Sequence, residues 1–266
     1  MNQHYLQVTD AVPKKMGDEV LSETGWFISA LRTRLFELFV LIVSAFIGSA
    51  ILLYLRWTQR PRQVRAVLRF WSRSFIFGAR IILGVKYRVE GLENVPAGAV
   101  VFVGNHQSYW ESIAMTAIVP DLNVVTKRAA MAIPVFGWGL QHAPMTPIDR
   151  DAPGRNIRRL VRQARASLAS GRSMLIFPEG GRLCPRQRRP FARGLEILYR
   201  ECNVPVVPFV TNAGLFWPAG FAAKRAGTIT LRFLPQLAPG GEPRAFAAEI
   251  EGLLNEEKEK LLISAG

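Results

Sequence analysis

Hydrophobic and polar positions divide the chain into three stretches. Residues 1–25 are polar and mixed in charge, and read as a polar tail without the features of a cleavable signal peptide. Leu38 to Leu55 are eighteen consecutive uncharged, mostly apolar positions bounded by Glu37 and Arg56. As a helix they would extend roughly 27 Å at ~1.5 Å per residue, close to the hydrocarbon thickness of a bilayer, so the run predicts a membrane-inserted helix. The next segment, 62–83, carries Arg62, Arg65, Arg69, Arg73 and Arg80, with Phe70, Trp71, Phe75, Phe77 and Ile81 among them. That spacing predicts a basic stripe on an interfacial helix lying against anionic lipid. Two alternatives fit the same pattern: a helix packing on its own domain, or a two-helix hairpin dipping into one leaflet. Residues 26–83 thus read as an N-terminal, membrane-associated helical region.

From residue 84 to 266 the period changes. Val85–Val89, Val100–Val103, Asn123–Thr126, Met145–Ile148, Met174–Phe177, Val204–Val210 and Thr228–Phe233 are short β-branched or apolar runs. Helical stretches lie between several of them, notably 154–169 and 190–201. The alternation predicts an α/β domain, a mixed, mostly parallel sheet flanked by helices. Residues 243–262 place Phe246, Ile250, Leu253, Leu254 and Leu261 at helical spacing, which predicts an amphipathic C-terminal helix docking on the sheet.

Charge narrows the choice of partners. The formal net charge is +14, from 34 basic and 20 acidic residues, which favours anionic partners such as lipid headgroups, phosphorylated substrates, acidic carrier proteins or nucleic acid. In the twenty positions before the apolar run there are two arginines, Arg32 and Arg34. In the twenty after it there are six: Arg56, Arg60, Arg62, Arg65, Arg69 and Arg73. The positive-inside bias then sets the large C-terminal domain in the cytoplasm. Cys184 and Cys202 have no Cys or His neighbours at zinc-ligand spacing and read as free thiols in a reducing compartment. No metal site is expected.

The chemistry-bearing residues follow two of the apolar runs. His106 and Glu111 stand in Asn105-His-Gln-Ser-Tyr-Trp-Glu111, just after Val100–Val103. Five residues on one helix would separate the side chains by about 140°, so they meet only with His106 in the turn and Glu111 in the first helical turn. Ser108-Tyr-Trp-Glu111 fits a capping box, with Ser108 as N-cap and Glu111 at N3. Glu111 can cap the helix and fix the imidazole tautomer together, sharing the roles between its two oxygens, while the other ring nitrogen takes a proton. Ser108 as nucleophile is the competing enzyme reading, but no Gly-x-Ser-x-Gly elbow surrounds it.

The second segment is Phe177-Pro-Glu-Gly-Gly-Arg182. Its glycines, Gly180 among them, let backbone approach a ligand, and Arg182 can pair with phosphate through two bonds. Glu179 is suited to orienting an arginine or a substrate hydroxyl. Lys127 and Arg150 follow two further runs, and basic groups at successive strand ends of an α/β sheet can converge on one anion.

Taken in order, His-x4-carboxylate, Ile148-Asp-Arg150, Phe-Pro-Glu-Gly-x-Arg and Val204-Pro-Val-Val-Pro208 resemble the glycerolipid acyltransferase family, over roughly residues 85–235. The pattern is most similar to bacterial 1-acylglycerol-3-phosphate O-acyltransferases. The resemblance implies His106 as base with Glu111 where the family usually has aspartate, and a glycerol-phosphate site at Arg150, Glu179, Gly180 and Arg182, with Lys127 as a looser transfer. Gly181 stands in place of the usual threonine or serine, and Val204–Pro208 matches a motif linked to packing. It further implies transfer of an acyl group from acyl-CoA or acyl-carrier protein to the sn-2 hydroxyl of 1-acylglycerol-3-phosphate, without a cofactor, on the cytoplasmic face of a bacterial inner membrane. Other readings are an acyltransferase for another lyso-lipid such as lyso-ornithine lipid, an inactive lipid-binding scaffold, and a membrane-anchored nucleic-acid binder. The last is suggested by charge alone and has no recognisable binding module.

Overall fold

The computed structural model describes residues 23–58, 60–132, 136–143, 145–148, 153–220 and 223–264, with side chains at all of these except 23–24, 26, 50–58, 136, 138 and 153–156. The polar tail expected over 1–25 lies outside the described residues up to residue 22.

Each apolar run forms a strand. The strands are β1 (Val85–Glu90), β2 (Val101–Gly104), β3 (Asn123–Lys127), β4 (Thr146–Ile148), β5 (Met174–Ile176), β6 (Val206–Thr211) and β7 (Gly227–Phe233). They form one sheet in the order β1-β7-β6-β2-β5-β3-β4. Every neighbouring pair is parallel except β6 with β7. The sheet is therefore mixed and mostly parallel, with β1 and β7 running opposite to the other five.

Helices cover both faces because the central strands are apolar on both. The helices are α1 (Glu23–Thr58), α2 (Pro61–Gly78), α3 (Trp110–Ile118), α4 (Phe136–His142), α5 (Pro153–Ala169), α6 (Gly194–Cys202), α7 (Ala213–Phe216) and α8 (Pro243–Ile263). Phe102, Val207 and Phe209 face a core shared with Phe36 of α1, Phe75 of α2 and Met115 of α3. Val101, Val103 and Val210 face a second core with Leu160 of α5, Leu198 of α6 and Ile250 and Leu254 of α8. Alternation along β2 thus sends successive residues to opposite cores. Gly104 closes β2 where the Phe209 ring crosses it, and a Cβ there would lie 2.2 Å from that ring. Gly104→Ala is expected to lower stability by ~1–3 kcal/mol through overpacking, read by denaturant unfolding.

The N-terminal helices pack on one another and on the α/β domain. α1 and α2 pack antiparallel: Trp71 Nε1 donates to Ser44 Oγ at 2.9 Å, and Phe36 meets Phe75 edge-on at 5.0 Å. A π-turn, Ala79–Leu83, then leads into β1. The basic stripe of α2 does not all face outward. Arg65 Nε donates to Asp121 Oδ1 at 3.1 Å, and Arg69 donates from Nε and Nη2 to the Ala117 and Ile118 carbonyls, both at 3.1 Å. The Ala117 and Ile118 carbonyls are orphans at the C-terminus of α3, where a cation is favoured, so two of the five arginines of the stripe are spent on the protein's own domain. Arg62, Arg73 and Arg80 remain exposed, beside Phe70, Phe77 and Ile81.

On α1, Leu31, Leu35, Leu38, Leu41, Ile42 and Phe46 are also exposed. The run 38–55 is helical throughout, but no helix is long and apolar enough among the described residues to cross a membrane. The side chains of its last six positions lie outside the described ones.

Candidate active site

β2, β5, β3 and β4 are parallel, so their C-terminal ends share one edge of the sheet, and the candidate residues lie there. β2 is prolonged past Gly104 by Asn105, whose Nδ2 donates to the Thr211 carbonyl at 2.9 Å while its Oδ1 accepts from Thr211 N at 2.8 Å. That side chain imitates a ladder partner and turns the chain into α3, leaving His106 at the bend.

Glu111 sits in the first turn of α3 and is fully buried. Its Oε1 lies 2.8 Å from His106 Nδ1 and accepts from the backbone N–H groups of Gln107 and Ser108, each at 2.7 Å. One oxygen therefore does all the work that the sequence reading divided between two, and Oε2 has no partner among the described residues. A carboxylate carries no hydrogen, so the bond assigns the proton to Nδ1 and leaves the Nε2 lone pair facing outward.

The capping box forms with a shift of register. Glu111 reaches back to Ser108 N as expected, but Ser108 Oγ accepts from Trp110 N at 3.0 Å, two residues on rather than three. Ser108 is fully buried in that role, which leaves no surface for it to act as nucleophile.

Glu179, after β5, closes the other side. Its Oε2 accepts the His106 backbone N–H at 2.8 Å, and the His106 carbonyl accepts from Leu183 N at 2.7 Å. The two motif segments, about seventy residues apart, thus clasp each other through His106. Burial raises the Glu179 carboxyl above the usual range, while the His106 N–H and the Lys258 charge pull it back.

The other expected residues are placed less tightly. Gly180 has a left-handed φ of +67°, and a Cβ there would meet nothing within 4 Å, so its backbone faces open space. Arg182 is exposed near Tyr109, whose hydroxyl is raised by burial and lowered by the Arg182 charge. Lys127 ends β3, two strands from β2, which is roughly 10 Å at about 4.8 Å per strand. Arg150 lies outside the described residues. Among the described residues, no three His, Cys, Asp or Glu side chains gather as metal ligands would.

The comparisons with known proteins fit this geometry. The family described as Acyltransferase matches residues 86–212, from β1 through the end of β6. A 1-acyl-sn-glycerol-3-phosphate acyltransferase of Pseudomonas aeruginosa is 36% identical over 222 residues, covering 83% of this chain and 86% of its own. The chain belongs to the acyltransferase family. A protein of the same name from Cocos nucifera is 26% identical over 222 residues, 81% of this chain and 70% of its own. The crystal structure of the 1-acyl-sn-glycerophosphate acyltransferase of Thermotoga maritima superimposes with a TM-score of 0.72 at 19% identity, covering 89% of this chain and 98% of that one, and shares its fold.

Three contacts of this acyltransferase were not singled out from its sequence. Phe177 stacks on His106 with ring centroids 4.1 Å apart and planes 16° off parallel. Its place as the last residue before Pro178-Glu179 was the available signal. Gln107 Oε1 accepts from Gly214 N at 2.9 Å and ties the turn to α7. Tyr109 packs on Trp217 at 5.6 Å, joining the start of α3 to the aromatic cluster of α1 and α2.

Proposed function

We propose that the enzyme transfers a fatty acyl group from an acyl thioester to the sn-2 hydroxyl of 1-acylglycerol-3-phosphate, giving phosphatidic acid. The observation that carries this reading is the buried Glu111 Oε1 bonded to His106 Nδ1, with Nε2 left to take a proton at the open edge of the sheet. The name of the Pseudomonas relative, at 36% identity over most of both chains, supports the acceptor.

In the mechanism, Nε2 accepts the proton of the acceptor hydroxyl as its oxygen bonds to the thioester carbonyl carbon. The carbon–sulfur bond breaks, and the proton passes from His106 to the departing thiolate. A thiol of pKa about 8.5 is a good leaving group, so direct transfer needs no acyl-enzyme and no bound cofactor. The acceptor phosphate is assigned to Arg182 and Arg150, with Lys127 at the outer side, and Glu179 with Gly180 shapes the floor beneath it. The donor is acyl-CoA or acyl-carrier protein.

The outward apolar positions of α1 and α2, with exposed Arg62, Arg73 and Arg80 beside them, are suited to docking on an anionic bilayer at its cytoplasmic face. Phe70→Ser with Phe77→Ser is expected to weaken partition onto anionic vesicles by about tenfold or more, read by co-sedimentation. Unchanged partition would remove this face from the membrane contact.

The acceptor is tested with purified, detergent-solubilised protein offered acyl-CoA and either lysophosphatidic acid or lyso-ornithine lipid. Transfer to the first supports the reading. Transfer to the second alone would keep the chemistry and overturn the acceptor.

A further inference from the structure

The imidazole of His106 is held by more than Glu111. Its backbone is pinned on both sides, the N–H by Glu179 Oε2 at 2.8 Å and the carbonyl by Leu183 N at 2.7 Å. Nδ1 is pinned by Glu111 Oε1 at 2.8 Å. Those bonds fix points, not a plane. The second side-chain torsion of a histidine is broad, so the ring could still pivot about its bond to Glu111. The Nε2 lone pair lies in the ring plane and would swing with it.

Phe177 supplies the plane. Its ring stands 4.1 Å from the imidazole, centroid to centroid, with the two planes 16° off parallel, too close for water to enter between them. Phe177 is itself braced. It meets Phe209 edge-on at 6.1 Å, and Phe209, which is fully buried, meets Phe233 at 6.1 Å. Phe209 is also the ring that crosses Gly104, two residues before His106. The Phe177 carbonyl accepts from Gly180 N at 3.1 Å, which closes the turn behind the ring. A row of aromatic rings therefore runs from the first core to the edge of the sheet, and the imidazole is its last member.

We propose that Phe177 is a positioning residue for the proton transfer: its face sets the plane of the His106 imidazole and so aims the Nε2 lone pair at the acceptor hydroxyl. This rests on the reading of His106 as the base. It gives the second motif segment a task besides the acceptor phosphate, since Phe177, Glu179 and Leu183 hold His106 from three sides. Rate falls steeply with misalignment at a reacting atom, and a misplacement of about 1 Å can cost on the order of 10²-fold.

Phe177→Leu keeps an apolar side chain and loses the flat face, whereas Phe177→Tyr keeps the face. In folded Phe177→Leu, kcat is expected to fall about tenfold or more, with KM for lysophosphatidic acid within about twofold of wild type. Phe177→Tyr is expected to restore most of the rate. The stack also has a signature in the proton NMR spectrum of the histidines, of which the chain has three, His4, His106 and His142. An imidazole proton over the face of a benzene ring resonates upfield, and the His106 line is assigned by its loss in His106→Ala. That line should stay upfield in Phe177→Tyr and move downfield in Phe177→Leu. A merely structural role would lower the melting temperature and leave kcat per folded molecule unchanged.

The deciding experiment pairs the histidine spectrum with kcat and thermal unfolding for wild type, Phe177→Leu and Phe177→Tyr. A folded Phe177→Leu protein whose His106 line has moved while kcat stays at the wild-type value overturns the inference. So does a Phe177→Tyr protein that keeps the line upfield and loses the rate. A wild-type His106 line with no upfield shift overturns it whether or not any variant folds. If Phe177→Leu does not fold, Phe177→Met takes its place and is judged by the same outcomes. Wild type that transfers nothing to lysophosphatidic acid while its His106 line stands upfield would instead defeat the reading of the site, which is a distinguishable outcome.

Discussion

His106→Ala is expected to abolish most of the acyl transfer and to leave the protein folded. A positioned general base contributes typically about 10²–10⁴-fold, and the loss is expected in kcat with little change in KM. The fold survives because the bonds His106 makes with Glu179 and Leu183 use its backbone, not its ring. What goes is a side chain 17% exposed, stacked on Phe177. The measurement is acyl transfer under saturating donor, paired with circular dichroism and thermal unfolding. Equal activity in the folded variant and wild type would remove His106 from the chemistry and return the scaffold reading to the front.

Glu111→Ala is expected to cost both stability and rate. The Gln107 and Ser108 N–H groups lose their acceptor in a buried position, at about 1–3 kcal/mol each. The imidazole also loses the partner that holds the proton on Nδ1, and a fall of about 10²-fold in kcat is expected, equivalent to ~2.7 kcal/mol of barrier. Glu111→Asp separates the two effects. It keeps the charge but withdraws it by one methylene from three donors that a single oxygen now meets at 2.7–2.8 Å, so an intermediate loss is expected in both measurements. Activity at the wild-type level in a folded Glu111→Ala protein would show that the histidine needs no carboxylate.

Seven strands were legible because each is a short apolar run ended by a turn residue, and a run such as Val100-Val-Phe-Val can satisfy both faces of a central strand only as a strand. The mostly parallel character followed from the alternation with helices, but which strand pair is antiparallel did not. Nothing local in Thr228–Phe233 says that it runs against Val206–Thr211, since pairing is decided across the sheet. α6 starts at Gly194 rather than 190, because Phe191 and Ala192 are held by Glu251 and Pro178, far away in sequence.

The His106–Glu111 pair was readable because a capping box fixes where the helix begins. The convergence on Glu179 was readable only as two motifs at strand ends, and Arg65 and Arg69 were misdirected because their partners, the Asp121 carboxylate and the last carbonyls of α3, lie some fifty residues on. Lys258 of α8 is buried although it is charged, and it falls four residues after Leu254, which follows Ile250 by four, so a lysine on that apolar stripe stands out of pattern.

The reversed pair of strands has a consequence for how the enzyme is laid out in space. Val85 pairs with Gly227, and β7 begins beside the end of β6, so the chain enters β1 at the edge where β2 delivers His106. Were β1 parallel to β2, α2 would arrive at the far edge, roughly 20 Å away for a six-residue strand. A lipid substrate leaving a bilayer under α1 and α2 would then have to cross the width of the sheet. Turning two strands over removes that journey and lets one short connection, from Gly78 to Val85, set the distance between the exposed apolar face of α1 and α2 and the His106 ring, the proposed docking surface and the proposed base.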